Sequence, residues 1–166
     1  GGGYFYTNTH AMDQNVHQSK RAFKLIEKLG CRLSCDNKSR YNSIKKGYIV
    51  LHPGVSDSER SWPDSHWVEL ARLLSTKFKV SIVMTKDSTN LIQKLKTKDL
   101  ELQYFEGSLV DFCHYMSNQK CLIALDSMAG HLASYIGIPV ISLFGSQNPS
   151  LTKPKNKYGK IIEPET

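Results

Sequence analysis

Apolar residues come in two rhythms along this chain. Tyr48-Ile49-Val50-Leu51, Lys79–Met84, Cys121–Leu125 and Val140–Phe144 are short, nearly continuous runs, the pattern of strands covered on both faces. Leu100, Leu102 and Tyr104 alternate instead, as in a half-buried strand. Between the runs the apolar positions repeat at helical spacing. Trp67, Leu70, Ala71 and Leu74 mark the buried face of a helix capped by Asp64 or Ser65, and a lysine-rich helix is predicted around Asn90–Lys98. Ser108-Leu109-Val110-Asp111 has the form of a capping box, opening a helix with Leu109, Phe112, Cys113 and Met116 inward. Ser127 opens another helix, which stops at Gly137. Strand and helix thus alternate five times, predicting an α/β domain with a doubly wound parallel sheet. Upstream, Met12, Val16, Phe23, Ile26 and Leu29 have a helical rhythm over residues 10–29, with Gly30 as the C′ residue, and residues 31–46 read as a polar, basic connector. The predicted organisation is an N-terminal segment with a linker helix over residues 1–46 and one α/β domain over residues 47–166.

A length of 166 residues suits one such domain with a proper core and is short for two. Hydrophobic residues make up 40% and charged residues 22%, the balance of a globular protein. No apolar run approaches the ~20 residues of a membrane span, and the start GGGYFYTNTH lacks the basic and apolar regions of a signal peptide, so no transmembrane segment is predicted. The net charge of +7 favours anionic partners: nucleic acid, acidic lipid or phosphorylated metabolites. Its lysines cluster in Lys38–Lys46, Lys94–Lys98 and Lys153–Lys160, mostly outside the candidate site, and no nucleic-acid-binding signature accompanies them. Cys113 and Cys121 fall in a helix and a strand as small hydrophobes, and the pair Cys31 and Cys35 has no matching second pair. The expectation is reduced thiols, no metal site and a cytoplasmic protein.

Two loops that follow strands carry candidate chemistry. In His52–Pro63, the Pro53-Gly54 pair permits a tight turn, and Ser56, Ser58 and Arg60 are groups that can meet an anion. An ordinary surface loop explains the same composition. The second is Asp126–His131 at a helix N-terminus, where unpaired N–H groups and the helix dipole attract phosphate. Asp126 beside an anion makes sense if it holds sugar hydroxyls or backbone, though capping the turn is an equally common role. His131, one turn into the helix, is near enough to reach the site, while a packed or capping histidine is the commoner case. No dinucleotide fingerprint, P-loop or Ser-His-Asp order is present. The residues alone therefore indicate a phosphate- or nucleotide-binding α/β domain.

Taken in succession, H-P-G followed by R-S-W-P, W-x-x-L-A, L-D-S-x-x-x-H-L-A, G-I-P-V-I-S-L-F-G and N-P over residues 48–149 resemble the donor-binding half of glycosyltransferase family 9, the ADP-heptose:lipopolysaccharide heptosyltransferases. Residues 10–30 also resemble the helix that joins the two halves in that family. The resemblance implies one Rossmann-like half of a GT-B enzyme, in which two domains face across a cleft and no metal or other cofactor takes part. It implies that Arg60, where the family usually has lysine, stabilises the diphosphate leaving group. Asp126 would hold the donor sugar, and Ser127 with the following amides, Met128 included, would take the phosphates. His131 matches the histidine of the H-L-A motif, Pro53, Gly54 and Ser56 line the first loop, and Gly107-Ser108 fall where the nucleobase is lined. The chain departs from the family pattern at Met128, where glycine is common, and around Asp87-Ser88-Thr89-Asn90, where an acidic residue near the ribose is not clear.

The implied function is binding of a nucleotide-sugar donor, ADP-heptose, for transfer to lipopolysaccharide core at the inner face of the inner membrane. The acceptor domain and its catalytic base would be missing from this chain, which alone is expected to bind donor at most weakly and not to turn over. Two alternatives stand beside it: a GT-B transferase with another nucleotide-sugar, and a non-catalytic binding or interaction module left by loss of the acceptor domain.

Overall fold

The computed structural model describes residues 13–28, 47–55 and 57–164. The chain divides into two compact units, Gly1–Lys38 with Ser150–Thr152, and Ser39–Pro149 with Lys153–Thr166. In the first, helix α1 spans Gln18–Lys28. It starts later than the apolar rhythm predicts because the preceding residues have local partners. The Asp13 carboxylate accepts the Asn15 N–H at 2.9 Å, and His17 Nδ1 accepts the Ser19 N–H at 3.2 Å, as a helix cap would. Met12, Leu29 and the Gly30 terminator lie outside the described residues, as do Cys31, Cys35 and the 31–46 connector.

In the second unit, six described strands form one wholly parallel sheet: β1 (Ile49–His52), β2 (Val80–Val83), β3 (Leu102–Phe105), β4 (Cys121–Leu125), β5 (Val140–Leu143) and β6 (Lys160–Ile162). Their order is β3-β2-β1-β4-β5-β6. Helices α2 (Asp64–Ser75), α3 (Thr89–Lys96), α4 (Leu109–Met116) and α5 (Met128–Ile136) connect them, and a short helix α6 (Pro149–Thr152) follows β5. The alternation of side chains along each strand sorts the core into two layers. Ile49, Leu51, Ile82, Ile123 and Leu125 face Trp67 and Ala71 of α2 and Leu91 and Leu95 of α3. Val50, Leu122, Ala124 and Val140 face Phe112 and Met116 of α4 and Ala129 and Ala133 of α5. Burial from both sides is why these strands read as continuous apolar runs.

The doubly wound sheet is therefore present. From β1 the chain winds outward through β2 to the edge strand β3 with α2 and α3 on one face. It then returns through α4 on the opposite face to place β4 on the other side of β1. The winding reverses between β1 and β4. In sheets of this kind the crevice at the carboxyl ends of the strands flanking such a reversal is the usual ligand position.

Three local readings change. Neither Asp64 nor Ser65 caps α2: Pro63 is the N-cap, without a side-chain bond, and its carbonyl accepts the His66 N–H at 2.9 Å. Asp64 instead sits in the first turn, where a carboxylate complements the helix dipole, and receives Lys94 Nζ at 2.8 Å. Ser108 does cap α4, with its reciprocal partner Asp111, but Leu109 is 54% exposed rather than inward. As the first helical residue its Cβ leans toward the helix N-terminus and off the end of the sheet. The strand β6 is unannounced in the sequence because it offers only Ile161 and Ile162 between polar residues. As an edge strand it is covered too little to need more.

Candidate functional site

The loop after β1 leaves the sheet beside β4, since His52 pairs in register with Ala124, two residues before Asp126. Gly54 is buried, and a Cβ there would lie 2.7 Å from Thr85 Oγ1 and Cγ2. The only described residue with positive φ is Gly137, at 90° in the C-cap of α5. Gly54 is thus required for close approach of the β1 and β2 loops and not for a left-handed turn.

Among the described residues, three buried polar atoms without a hydrogen-bond partner lie at the carboxyl ends of the strands beside the switch point. They are His52 Nδ1 on β1, Thr85 Oγ1 after β2 and Ser127 Oγ after β4. Buried polar groups are nearly always satisfied in native proteins, so three at one edge of a sheet point to a missing polar partner. His52 and Thr85 were not among the residues singled out from sequence. His52 opens the H-P-G motif without being given a role there, and Thr85 is marked only by following an apolar strand. Burial pushes the His52 imidazole below its ordinary value, against a weaker opposing influence of the nearby His52 and Gly54 backbone. Its ring meets Phe112 edge-on at 5.8 Å.

Arg60 and Asp126 are brought together across the crevice. A single 3-10 turn, Ser58–Arg60, ends at Arg60. Its Nη1 donates to the Asp126 carbonyl at 3.2 Å and lies 3.6 Å from the Asp126 carboxylate. Its Nε lies 3.6 Å from Asp57 Oδ2. Asp126 is 8% exposed, so a carboxylate this buried sits beside a cation that offsets its charge. Asp126 is not the cap of α5; that position is Ser127, with extended backbone and no side-chain cap bond. The Ser127 hydroxyl is thereby left for another partner at a helix N-terminus whose first N–H groups face the crevice end of the sheet.

The remaining predicted residues take their places along the same edge. Pro53 is half-buried beside Gly54, and His131 is half-buried in the first turn of α5, while Met128 opens that helix at 59% exposure. Met128 therefore directs its bulk outward. Ser56 lies outside the described residues. Gly107 and Ser108 follow β3, three strand spacings from β4, or about 14 Å at ~4.8 Å per strand. Only an elongated ligand would touch both ends. Ser108 is already engaged with Asp111, through its N–H at 2.9 Å and its hydroxyl at 2.6 Å. A small cavity at β5 and β6 is lined by Val140, Ser142, Lys153 and Lys160, and none of the predicted site residues lines it. Among the described residues no group of His, Cys, Asp or Glu is placed to hold a metal ion, and no helix is long and apolar enough to cross a membrane.

A doubly wound parallel sheet with helices on both faces and charged residues at its switch point defines a Rossmann-like α/β domain. Residues 4–165 match the family model of glycosyltransferase family 9 (heptosyltransferase), and the chain belongs to that family. It is 27% identical over 119 residues to lipopolysaccharide heptosyltransferase 1 of Pseudomonas aeruginosa, covering 68% of this chain and 32% of that protein. Two solved structures share its fold at 17% identity. The E. coli heptosyltransferase WaaC with ADP has a TM-score of 0.74, over 96% of this chain and 54% of that one. The family 9 glycosyl transferase from Veillonella parvula has a TM-score of 0.75, over 94% and 51%. The chain thus spans about a third of the curated relative and about half of each solved protein.

Proposed function

We propose that this chain is the donor-binding half of a heptosyltransferase-like glycosyltransferase, and that it holds a nucleotide-sugar along the carboxyl edge of its sheet. The observation that carries the proposal is the Arg60–Asp126 bridge across the switch point. It joins a fixed cation, suited to a diphosphate, with a buried carboxylate, suited to sugar hydroxyls, in one crevice. The unpartnered Ser127 hydroxyl and the first amides of α5 would receive phosphate oxygens. Gly107, about 14 Å further along, would line the base. That spread favours a ligand with base, diphosphate and sugar in sequence over a free phosphate. WaaC with ADP, similar in fold, supports adenine as the base, and family membership supports heptose as the sugar.

The reaction proposed for the whole enzyme is displacement at the anomeric carbon. An acceptor hydroxyl of the lipopolysaccharide core forms the new bond to that carbon and the bond to the diphosphate breaks, inverting the centre. The hydroxyl proton passes to a base on the acceptor half. Arg60 compensates the charge that grows on the departing diphosphate oxygen, so no metal is required. The proposed location is the cytoplasmic face of the inner membrane, where such an acceptor is presented.

Calorimetric titration with ADP, UDP and GDP tests the donor role. Saturable ADP binding, weakened at least about tenfold by Arg60→Ala as expected for a charge-assisted contact, supports it. The absence of binding by any nucleotide up to millimolar concentration overturns it in favour of a non-catalytic module.

A further inference from the structure

We infer that Asp57 is a positioning residue, which aims the Arg60 guanidinium across the crevice; the inference rests on the donor-binding reading above. Asp57 precedes the 3-10 turn Ser58–Arg60 and secures both its backbone and its last side chain. Its Oδ1 accepts the Glu59 N–H at 3.1 Å, and its carbonyl accepts the Arg60 N–H at 3.1 Å. The other carboxylate oxygen, Oδ2, faces Arg60 Nε at 3.6 Å. The guanidinium therefore lies between two carboxylates, with Nε at ion-pair distance, 3.6 Å, from Asp57 on its own loop and Nη1 hydrogen-bonded to the Asp126 carbonyl at the opposite strand end. The donors of a guanidinium lie in one rigid plane, so a bond at Nη1 and a carboxylate charge beside Nε together favour one direction for the rest.

A second carboxylate beside a cation meant for an anion calls for an explanation, because it opposes the anion. If only charge mattered, removing Asp57 would tighten the binding of a diphosphate. If Asp57 positions Arg60, removing its charge loosens binding, because the guanidinium must then be ordered when the ligand arrives. Asp57→Asn separates the two. Asparagine keeps an oxygen for the Glu59 N–H and loses only the charge that faces Arg60 Nε. At 44% exposure of the Asp57 side chain, the substitution leaves no buried group stranded.

The test combines ADP titration calorimetry with nitrogen-15 NMR of the arginine Nε–H groups, the Arg60 signal being assigned by its disappearance in Arg60→Ala. The expected result for Asp57→Asn is an ADP affinity about two- to fivefold weaker, the effect of a partly exposed ion pair. The Arg60 Nε–H signal should shift and exchange faster with water, and Asp57→Glu should recover part of both. Unchanged or tighter ADP binding overturns the inference. So does weaker binding with an unmoved Arg60 signal, the mark of a merely structural loop effect. If the unsubstituted chain binds no nucleotide, the donor reading fails. The Arg60 signal in ligand-free Asp57→Asn then decides the positioning role separately.

Discussion

Gly54→Ala probes the contact on which the crevice is built. An alanine Cβ would stand 2.7 Å from both Thr85 Cγ2 and Thr85 Oγ1, and 3.0 Å from Thr85 Cβ. Ordinary carbon contacts are about 3.5–4.0 Å, so Thr85 must retreat by roughly 1 Å. It has little freedom to do so. Thr85 is β-branched and stiff at χ1, and its backbone is tied on both sides to Ser88, whose hydroxyl accepts the Thr85 N–H at 2.8 Å and donates to the Thr85 carbonyl at 2.9 Å. Overpacking of this kind costs about 1–3 kcal/mol. For a domain of this size that lowers the midpoint by about 3–10 °C. Thermal unfolding followed by circular dichroism measures the drop, and nucleotide titration should show weaker binding alongside it. Thr85→Ala removes both 2.7 Å contacts, so the double variant Gly54→Ala/Thr85→Ala should recover most of the lost midpoint relative to Thr85→Ala alone. A Gly54→Ala midpoint within one degree of the parent, or a double variant no better than additive, would refute the close-approach explanation.

Two further outcomes follow from buried titratable groups. His52 has a lowered folded pKa, so the unfolded chain binds its proton more tightly. Its contribution to stability is present above the unfolded value of about 6.5 and is lost as pH falls through the folded value. Urea denaturation between pH 8 and pH 5 should show a decline that is shallower in His52→Phe; equal slopes would contradict the burial account. Cys121 is pushed up to about 11 by burial, so at pH 8 its thiol stays protonated and unreactive in the folded protein. Iodoacetamide labelling mapped by mass spectrometry should modify Cys121 only after denaturation, and labelling of Cys121 at native rates comparable to Cys113 would count against that burial.

Much of the fold was legible because the parallel sheet imposes its own signature. Strands such as Cys121–Leu125 must be apolar on both faces, and the helices between them must carry one apolar stripe, as Trp67 and Ala71 show. Gly137 marked the end of α5 for a reason that holds locally, its φ of 90°. What could not be read was set by tertiary position. Leu109 follows the helical stripe in sequence yet overhangs the sheet, and β6 needs few apolar residues because it lies at the edge. The cap of α2 failed for a different reason. Asp64 is a good capping residue by type, but the helix begins one residue earlier and Asp64 finds its partner in Lys94, 30 residues away.

The candidate site divides along the same line. Arg60 and Asp126 stand out in sequence because each is a charged residue of distinctive type in a motif, but the motif says nothing of their meeting. That depends on β1 and β4 being neighbours although β2 and β3 lie between them in the chain. The order β3-β2-β1-β4 is what turns a loop cation and a strand-end carboxylate 66 residues apart into a 3.2 Å contact. The sequence assigns no role to Asp57, Thr85 or His52 for the converse reason: the importance of each lies in what it touches. Asp57 gains its meaning from the Nε of Arg60, Thr85 from the bare Cα of Gly54, and His52 from a ring nitrogen buried without a partner. A carboxylate that steers a cation and a cation that meets an anion are separable by sign, since neutralising the first should weaken diphosphate binding although it makes the crevice more positive.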